Sequence, residues 1–163
     1  MMQSCYTLLS RPDCDLFFCD EPSQLVDCLN SLQLYNRKLR ILYLNIRSLK
    51  AEGKLDNFQL LCSLLPEIDF IVLVETWLSV NNAQYFNLPG FTAYHVTRSE
   101  FHRGGGIAIY INNVYPSHCV CSNILMDVEV LCVSIDSKYL GINILAIYNL
   151  NLQNSGNLMK VLD

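Results

Sequence analysis

Leu39-Arg40-Ile41-Leu42-Tyr43-Leu44-Asn45 and, further along, Ile68-Asp69-Phe70-Ile71-Val72-Leu73-Val74-Glu75 are the two stretches on which the fold turns. Each is a short apolar run ended by a polar residue, the pattern of a strand buried on both faces that stops at a loop. Between them, across residues 51–65, Leu55, Phe58, Leu61, Cys62 and Leu65 recur at helical spacing. Lys54, Asp56, Gln59 and Ser63 take the other side, and Pro66 closes the segment. Strand, helix, strand predicts a βαβ unit with adjacent parallel strands. Asn45 and Glu75 then leave the sheet at one C-terminal edge, where α/β sheets build their sites, and are expected to face each other there.

Downstream of Glu75 the texture becomes antiparallel β: residues 91–97, a turn through Arg103, Gly104, Gly105 and Gly106, then 107–111, 128–135 and 142–148. The three glycines suit a tight turn between strands rather than a phosphate cradle, since no helix follows them. From Asn149 the chain is Asn-rich, and Leu158, Val161 and Leu162 hint at a helix. Residues 1–38 mix Cys, Asp and Pro with apolar residues, show no sustained period and carry 3 Lys/Arg against 5 Asp/Glu. They read as a leader outside the main domain, packed loosely on it or not at all.

The 163 residues fit one domain, and 52% hydrophobic against 16% charged residues, with a mean hydropathy of +0.25, exclude intrinsic disorder. A net charge of -4 argues against coating nucleic acid by bulk charge. A local basic stretch exists all the same: residues 37–54 hold Arg37, Lys38, Arg40, Arg47, Lys50 and Lys54 against only Glu52. It suits phosphate contacts beside the Asn45 edge and, equally, ordinary solvation. No run approaches the roughly 20 apolar residues of a membrane span, and the N-terminus lacks the pattern of a secretory signal, so the chain reads as intracellular with no membrane partner. The eight cysteines then read as free thiols acting as small hydrophobes. A zinc site from Cys5, Cys14, Cys19 and Cys28 lacks close pairs and is set aside. Taken alone, Asn45 also suits a turn or helix cap, and Glu75 a solvated loop acid. His95, His102 and His118 read as surface or turn residues.

The strings Leu44-Asn45-Ile46-Arg47-Ser48-Leu49, Val74-Glu75-Thr76-Trp77-Leu78, Leu88-Pro89-Gly90-Phe91, Arg98, Arg103-Gly104-Gly105-Gly106-Ile107-Ala108-Ile109-Tyr110 and Ile147-Tyr148-Asn149 follow one another along the chain. The series resembles the endonuclease domain of non-LTR retrotransposons, especially jockey-like elements, over about residues 39–163. The resemblance implies the endonuclease/exonuclease/phosphatase fold, a deoxyribonuclease-like α/β sandwich of two sheets, present as an incomplete N-terminal half. It also implies Mg²⁺ as cofactor, DNA as partner, no small-molecule cofactor, and work in the nucleus for the intact element.

Within that resemblance Asn45, Glu75 and Tyr148 are the catalytic candidates. Glu75 is the expected metal ligand with Asn45 beside it, and the Tyr148 hydroxyl stabilises charge developing on the scissile phosphate. A hard cation that keeps several waters suits so small a protein donor set. The family's later Gly-Asp-Phe-Asn and Ser-Asp-His motifs do not occur in the sequence, and Asn149-Leu150-Asn151 departs from the usual proline-containing sequel to the tyrosine. The chain is therefore expected to be truncated and without appreciable nuclease activity, because the base that activates water is missing. Poor solubility is also expected, because strands 107–111 and 142–148 would lose the cover of a second sheet. The alternatives are a cellular phosphoesterase of the same fold and a non-catalytic fragment.

Overall fold

Five consecutive apolar side chains in a strand require cover on both faces, and Phe70-Ile71-Val72-Leu73-Val74 receives it. The computed structural model describes residues 39–98, 104–125, 128–136 and 141–149, with the backbone of 6–8 and 15–19. In it β4 (Phe70–Val74) is buried at every position. On one side lies β3 (Arg40–Asn45), parallel and in register from Ile41 opposite Phe70 to Asn45 opposite Val74. On the other lies β6 (Ile107–Asn112), antiparallel, with β5 (Phe91–Val96) outside it. Helix α1 (Lys54–Ser63) carries the crossover between the two parallel strands. It begins later than the apolar period suggests, because Gly53, left-handed at φ 68°, stands at its N-cap and supplies no side chain to cap it. Phe58 is buried, and Leu55, Leu61, Cys62 and Leu65 pack beside it over Leu42, Ile71, Leu73 and Ala108.

The opposite face of this sheet meets a second one, wholly antiparallel, built from β7 (Ser117–Leu125), β8 (Val128–Ile135) and β9 (Ile142–Asn149). Leu131, Val133, Ile135, Ile142, Ile144, Ala146 and Tyr148 from the second sheet interleave with Ile41, Tyr43, Phe70, Val72, Val74, Ile107, Ile109 and Ile111 from the first. Each large side chain so buried contributes roughly 1.5–3 kcal/mol. The architecture is mixed α/β and mostly strand, two sheets face to face with one α-helix and a short 3-10 turn (Ala83–Tyr85) among the described residues. No helix of the described residues is long and apolar enough to cross a membrane.

Three expectations are corrected. The second sheet comes from this chain itself, so the inner faces of β6 and β9 are covered and the argument for poor solubility fails. The leader is not wholly outside: β1 (Tyr6–Leu8) pairs antiparallel with β9, and β2 (Asp15–Cys19) pairs parallel with β3, giving orders β1-β9-β8-β7 and β2-β3-β4-β6-β5. Short edge strands carry too few residues to show a period, which is why composition hides them. Strand β7 was not anticipated either, since as an edge strand it is exposed at most positions and shows no clear alternation. The suggested helix near Leu158 lies outside the described residues.

Candidate functional site

The parallel strands β3 and β4 end together, and the loops that leave them stay joined. Ile46 N–H donates to the Val74 carbonyl at 3.0 Å, Ser48 to Glu75 at 2.7 Å and Leu49 to Thr76 at 2.9 Å. Arg47, Ser48, Glu75 and Trp77 all have positive φ, at 47°, 74°, 59° and 57°. Left-handed backbone costs a residue with a side chain about 1–2 kcal/mol. Four such residues in two adjacent loops mark a place whose surroundings override local preference.

At Glu75 the consequence is concrete. Val74 faces the inter-sheet core, so continued alternation would send Glu75 to the helix side. The left-handed turn brings it back: its Oε1 accepts the hydroxyl of Tyr148, a residue of the inter-sheet core at the end of β9. Its Oε2 accepts from the Trp77 indole N–H and from the Gly105 backbone N–H, the latter at 3.1 Å. Glu75 is 7% exposed and Tyr148 fully buried, while Trp77 is 39% exposed beside them. Thus the structure brings Glu75 and Tyr148 into contact across the two sheets. Asn45 is exposed at the same edge, opposite Val74 and two residues beyond Tyr43, on the inter-sheet side by strand alternation. Its amide makes no hydrogen bond among the described residues, so Asn45 and Glu75 share the edge without being hydrogen-bonded to each other.

A second carboxylate joins them. Glu129 on β8, opposite Tyr148 in register, is 0% exposed. It accepts from Arg98 Nε through Oε1, and from the Gly106 N–H at 2.7 Å through Oε2. Burial raises its carboxyl above the ordinary range; Arg98 and the Gly106 N–H pull it down, and Glu75 adds to the rise. Arg98 Nη2 and Thr76 Oγ1 are buried here without a partner. Sequence reading named Arg98 without giving it a role and missed Glu129. The available signal was a lone acid at an inward position of the apolar run Val128-Glu129-Val130-Leu131.

The glycine turn between β5 and β6 does more than reverse the chain. Gly105 and Gly106 have φ of 76° and 89°, and each donates its N–H to one of the two carboxylates. Their carbonyls accept from Trp77 at 2.9 Å and Thr76 at 3.2 Å. A Cβ on Gly105 would overlap Glu129 and come within 2.8 Å of Arg98 Nε, and one on Gly106 would overlap the Thr76 hydroxyl.

Other candidates fall elsewhere. His118 Nδ1 pairs with Asp136 at 2.9 Å, but Asp136 follows the far end of β8 from Glu129, about 20 Å away at the rise of a strand. His95, read as a surface or turn residue, lies on β5 with both ring nitrogens buried and unpartnered, edge-on to Tyr110 at 5.9 Å. Of the basic stretch, Arg47 and Lys50 are exposed, Arg40 pairs with Glu67, and Arg37 and Lys38 lie outside the described residues. No group of three or more His, Cys, Asp and Glu suited to a metal occurs among the described residues. A carboxylate offers about four lone-pair positions. Three donors occupy those of Glu75, which leaves one position without a donor among the described residues. No protein-family model matches the chain, and no curated protein sequence matches it.

Proposed function

We propose that this chain carries the first part of a Mg²⁺-dependent endonuclease/exonuclease/phosphatase domain of the non-LTR retrotransposon kind, and that it binds DNA phosphate without hydrolysing it on its own. The observation that carries the reading is the contact between Glu75, at the end of the central strand of one sheet, and Tyr148, at the end of a strand of the other. Two residues singled out from separate strings of sequence meet at one sheet edge, beside Asn45.

In this reading the remaining position of the Glu75 carboxylate and the Asn45 amide oxygen hold Mg²⁺, which when bound supplies Lewis-acid stabilisation of a phosphate oxygen. The residues of the chain do the rest. Gly105 N–H and Trp77 Nε1–H fix the orientation of Glu75. Tyr148 has one hydroxyl proton and gives it to Glu75, so donating to a phosphate oxygen requires the hydroxyl to turn away from that carboxylate. Water activation needs a base near the same edge. His118–Asp136 is too distant, and the sequence lacks the Asp and His motifs that intact relatives use. The substrate of the intact domain is chromosomal DNA, nicked in the nucleus so that a 3′ end primes reverse transcription.

The test is Mg²⁺-linked binding. A fluorescent DNA duplex is titrated with the chain, with and without millimolar Mg²⁺, beside Glu75→Gln and a plasmid-nicking assay. Tighter binding with Mg²⁺ that is lost in the variant, with no nicking, is the expected result. Binding indifferent to both Mg²⁺ and Glu75 would sink the reading and leave the buried Glu75 a structural ion, a role its three donors already suit. Nicking by the wild-type chain that vanishes in Glu75→Gln would show a complete site.

A further inference from the structure

Cys121 on β7 and Cys132 on β8 are direct partners in the antiparallel ladder. Residues so opposed share a face and hold their Cα atoms about 4.5–5.5 Å apart, inside the ~4.4–6.8 Å that a disulfide spans. The side chains are not turned away from each other: the two thiols are hydrogen-bonded, and both are half-buried, open to small molecules from solvent. Cys121 rests against the small apolar patch of Val128, Val130 and Ile147 on the outer face of the second sheet. A third thiol, exposed Cys119, lies close by but is differently placed. The ladder slips between Cys119 and Cys121, and Cys119 stands opposite Val133, a residue of the inter-sheet core. Cys62 is different again, half-buried on α1 with no second thiol opposite it among the described residues, and desolvation pushes its thiol up to about 12.

We propose that Cys121 and Cys132 form a dithiol oxidation site that exchanges with low-molecular-weight disulfides of the glutathione type, fastening the edge strand β7 covalently to β8. The Cys121 thiolate attacks one sulfur of the small disulfide, breaks its S–S bond and expels one thiolate, leaving a mixed disulfide. Cys132 gives its proton to solvent, and its sulfur attacks that of Cys121, forming the cross-strand bond and expelling the second thiolate. The protein loses two electrons and two protons, and the small disulfide is reduced to two thiols. Burial and the neighbouring sulfurs hold the Cys132 and Cys119 thiols above the ordinary range. Cys121 lies on the edge strand and Cys132 on the inner strand beside it, so the opening attack falls to Cys121, and Cys132 resolves.

The experiment incubates the full chain in stepped ratios of glutathione disulfide to glutathione, alkylates the remaining thiols and maps them by mass spectrometry. Cleavage at Asp127 or Glu129 is needed, because no Lys or Arg separates Cys119, Cys121 and Cys132. The expected product links the Cys121 peptide to the Cys132 peptide at a ratio that leaves Cys62 reduced. The link survives Cys119→Ser, and Cys132→Ser replaces it with a glutathione adduct on Cys121. Oxidised wild-type chain melts about 5 °C or more above the reduced form, a shift reversed by dithiothreitol. Cys121 and Cys132 both remaining alkylatable where Cys119 has already taken glutathione would overturn the proposal. So would a link that joins Cys119 instead.

Discussion

Strand β4 has a carboxylate bonded to a tyrosine at each end, and the two pairs are not alike. Before the strand, Asp69 accepts the Tyr115 hydroxyl at 2.8 Å and the Arg40 N–H at 2.9 Å. After it, Glu75 accepts the Tyr148 hydroxyl. The Asp69 pair is half-exposed and in ordinary backbone, and it reads as a brace for the start of β3 and the turn beyond β6. Burial and Asp69 together push the Tyr115 hydroxyl up to about 12. The Glu75 pair has a second carboxylate nearby, four left-handed residues around it, and two buried polar atoms without partners. Identical chemistry thus serves a joint at one end and a candidate site at the other. The difference lies in burial and strain, not in residue type.

The comparison can be broken first at the ion pairs. Arg98→Met leaves Glu129 buried without its counter-ion, and the loss of a partner in such a setting costs about 3–5 kcal/mol. Glu67→Ala at the Asp69 end removes only the half-exposed pair with Arg40, worth about 1 kcal/mol or less. Urea denaturation of the two variants checks this, and similar losses would mean that the Glu129 environment is wetter than its burial implies.

A second contrast lies in the glycines. Gly106→Ala adds strain at φ 89° to a clash with Thr76, together about 2–4 kcal/mol. Gly90→Ala at φ 83° meets open space and costs about 1 kcal/mol. Thermal melts rank them, and Thr76→Ser combined with Gly106→Ala should recover none of the loss, because the hydroxyl stays in place.

The tyrosines give a finer measure. Tyr148→Phe takes a donor from a buried carboxylate and is expected to lower stability by about 1.5–3 kcal/mol, against about 1 kcal/mol for Tyr115→Phe at the more exposed Asp69. Equal losses, read from chemical denaturation, would remove the distinction between the two ends.

The smallest effect concerns pH. Burial pushes the His95 imidazole from 6.5 down to about 4. Between those values the unfolded chain binds a proton that the folded chain does not, so stability falls as pH drops through the window. The loss is on the order of 2 kcal/mol after allowance for partial exposure. Glu129, with its raised carboxyl, acts in the opposite sense, losing its contribution as pH rises through its folded value. Subtracting the pH profile of His95→Phe isolates the histidine, and a difference that stays flat from pH 6.5 to 4 would show the ring to be hydrated.

These contrasts also show what was legible in the sequence. The βαβ unit could be read because β3 and β4 are apolar on both faces and α1 keeps helical spacing. Asn45 and Glu75 could be placed at one edge because each ends an apolar strand, whereas their roles and Tyr148 came only from the resemblance. The left-handed turn at Glu75 could not be read, since it depends on hydrogen bonds to residues near 105, distant in sequence. Glu129 was hidden for the same reason: a lone acid in an apolar strand declares itself only once Arg98 is known to reach it. Strands β1, β2 and β7 lie at sheet edges, where few side chains are buried and pattern fades. The position of His95 against Tyr110 likewise follows from the register of β5 with β6, which no local signal sets.

The bond between Glu75 and Tyr148 joins residues 73 apart, and β1 pairs Tyr6 with Ile147. On a ribosome, the five-stranded sheet has all its strands in hand well before β9 emerges. Glu75 must then wait for the last of its three donors until nearly the whole described chain is out. Long-range pairings of this kind slow folding, and they make the closing of the second sheet the step at which the site end of the molecule comes into being.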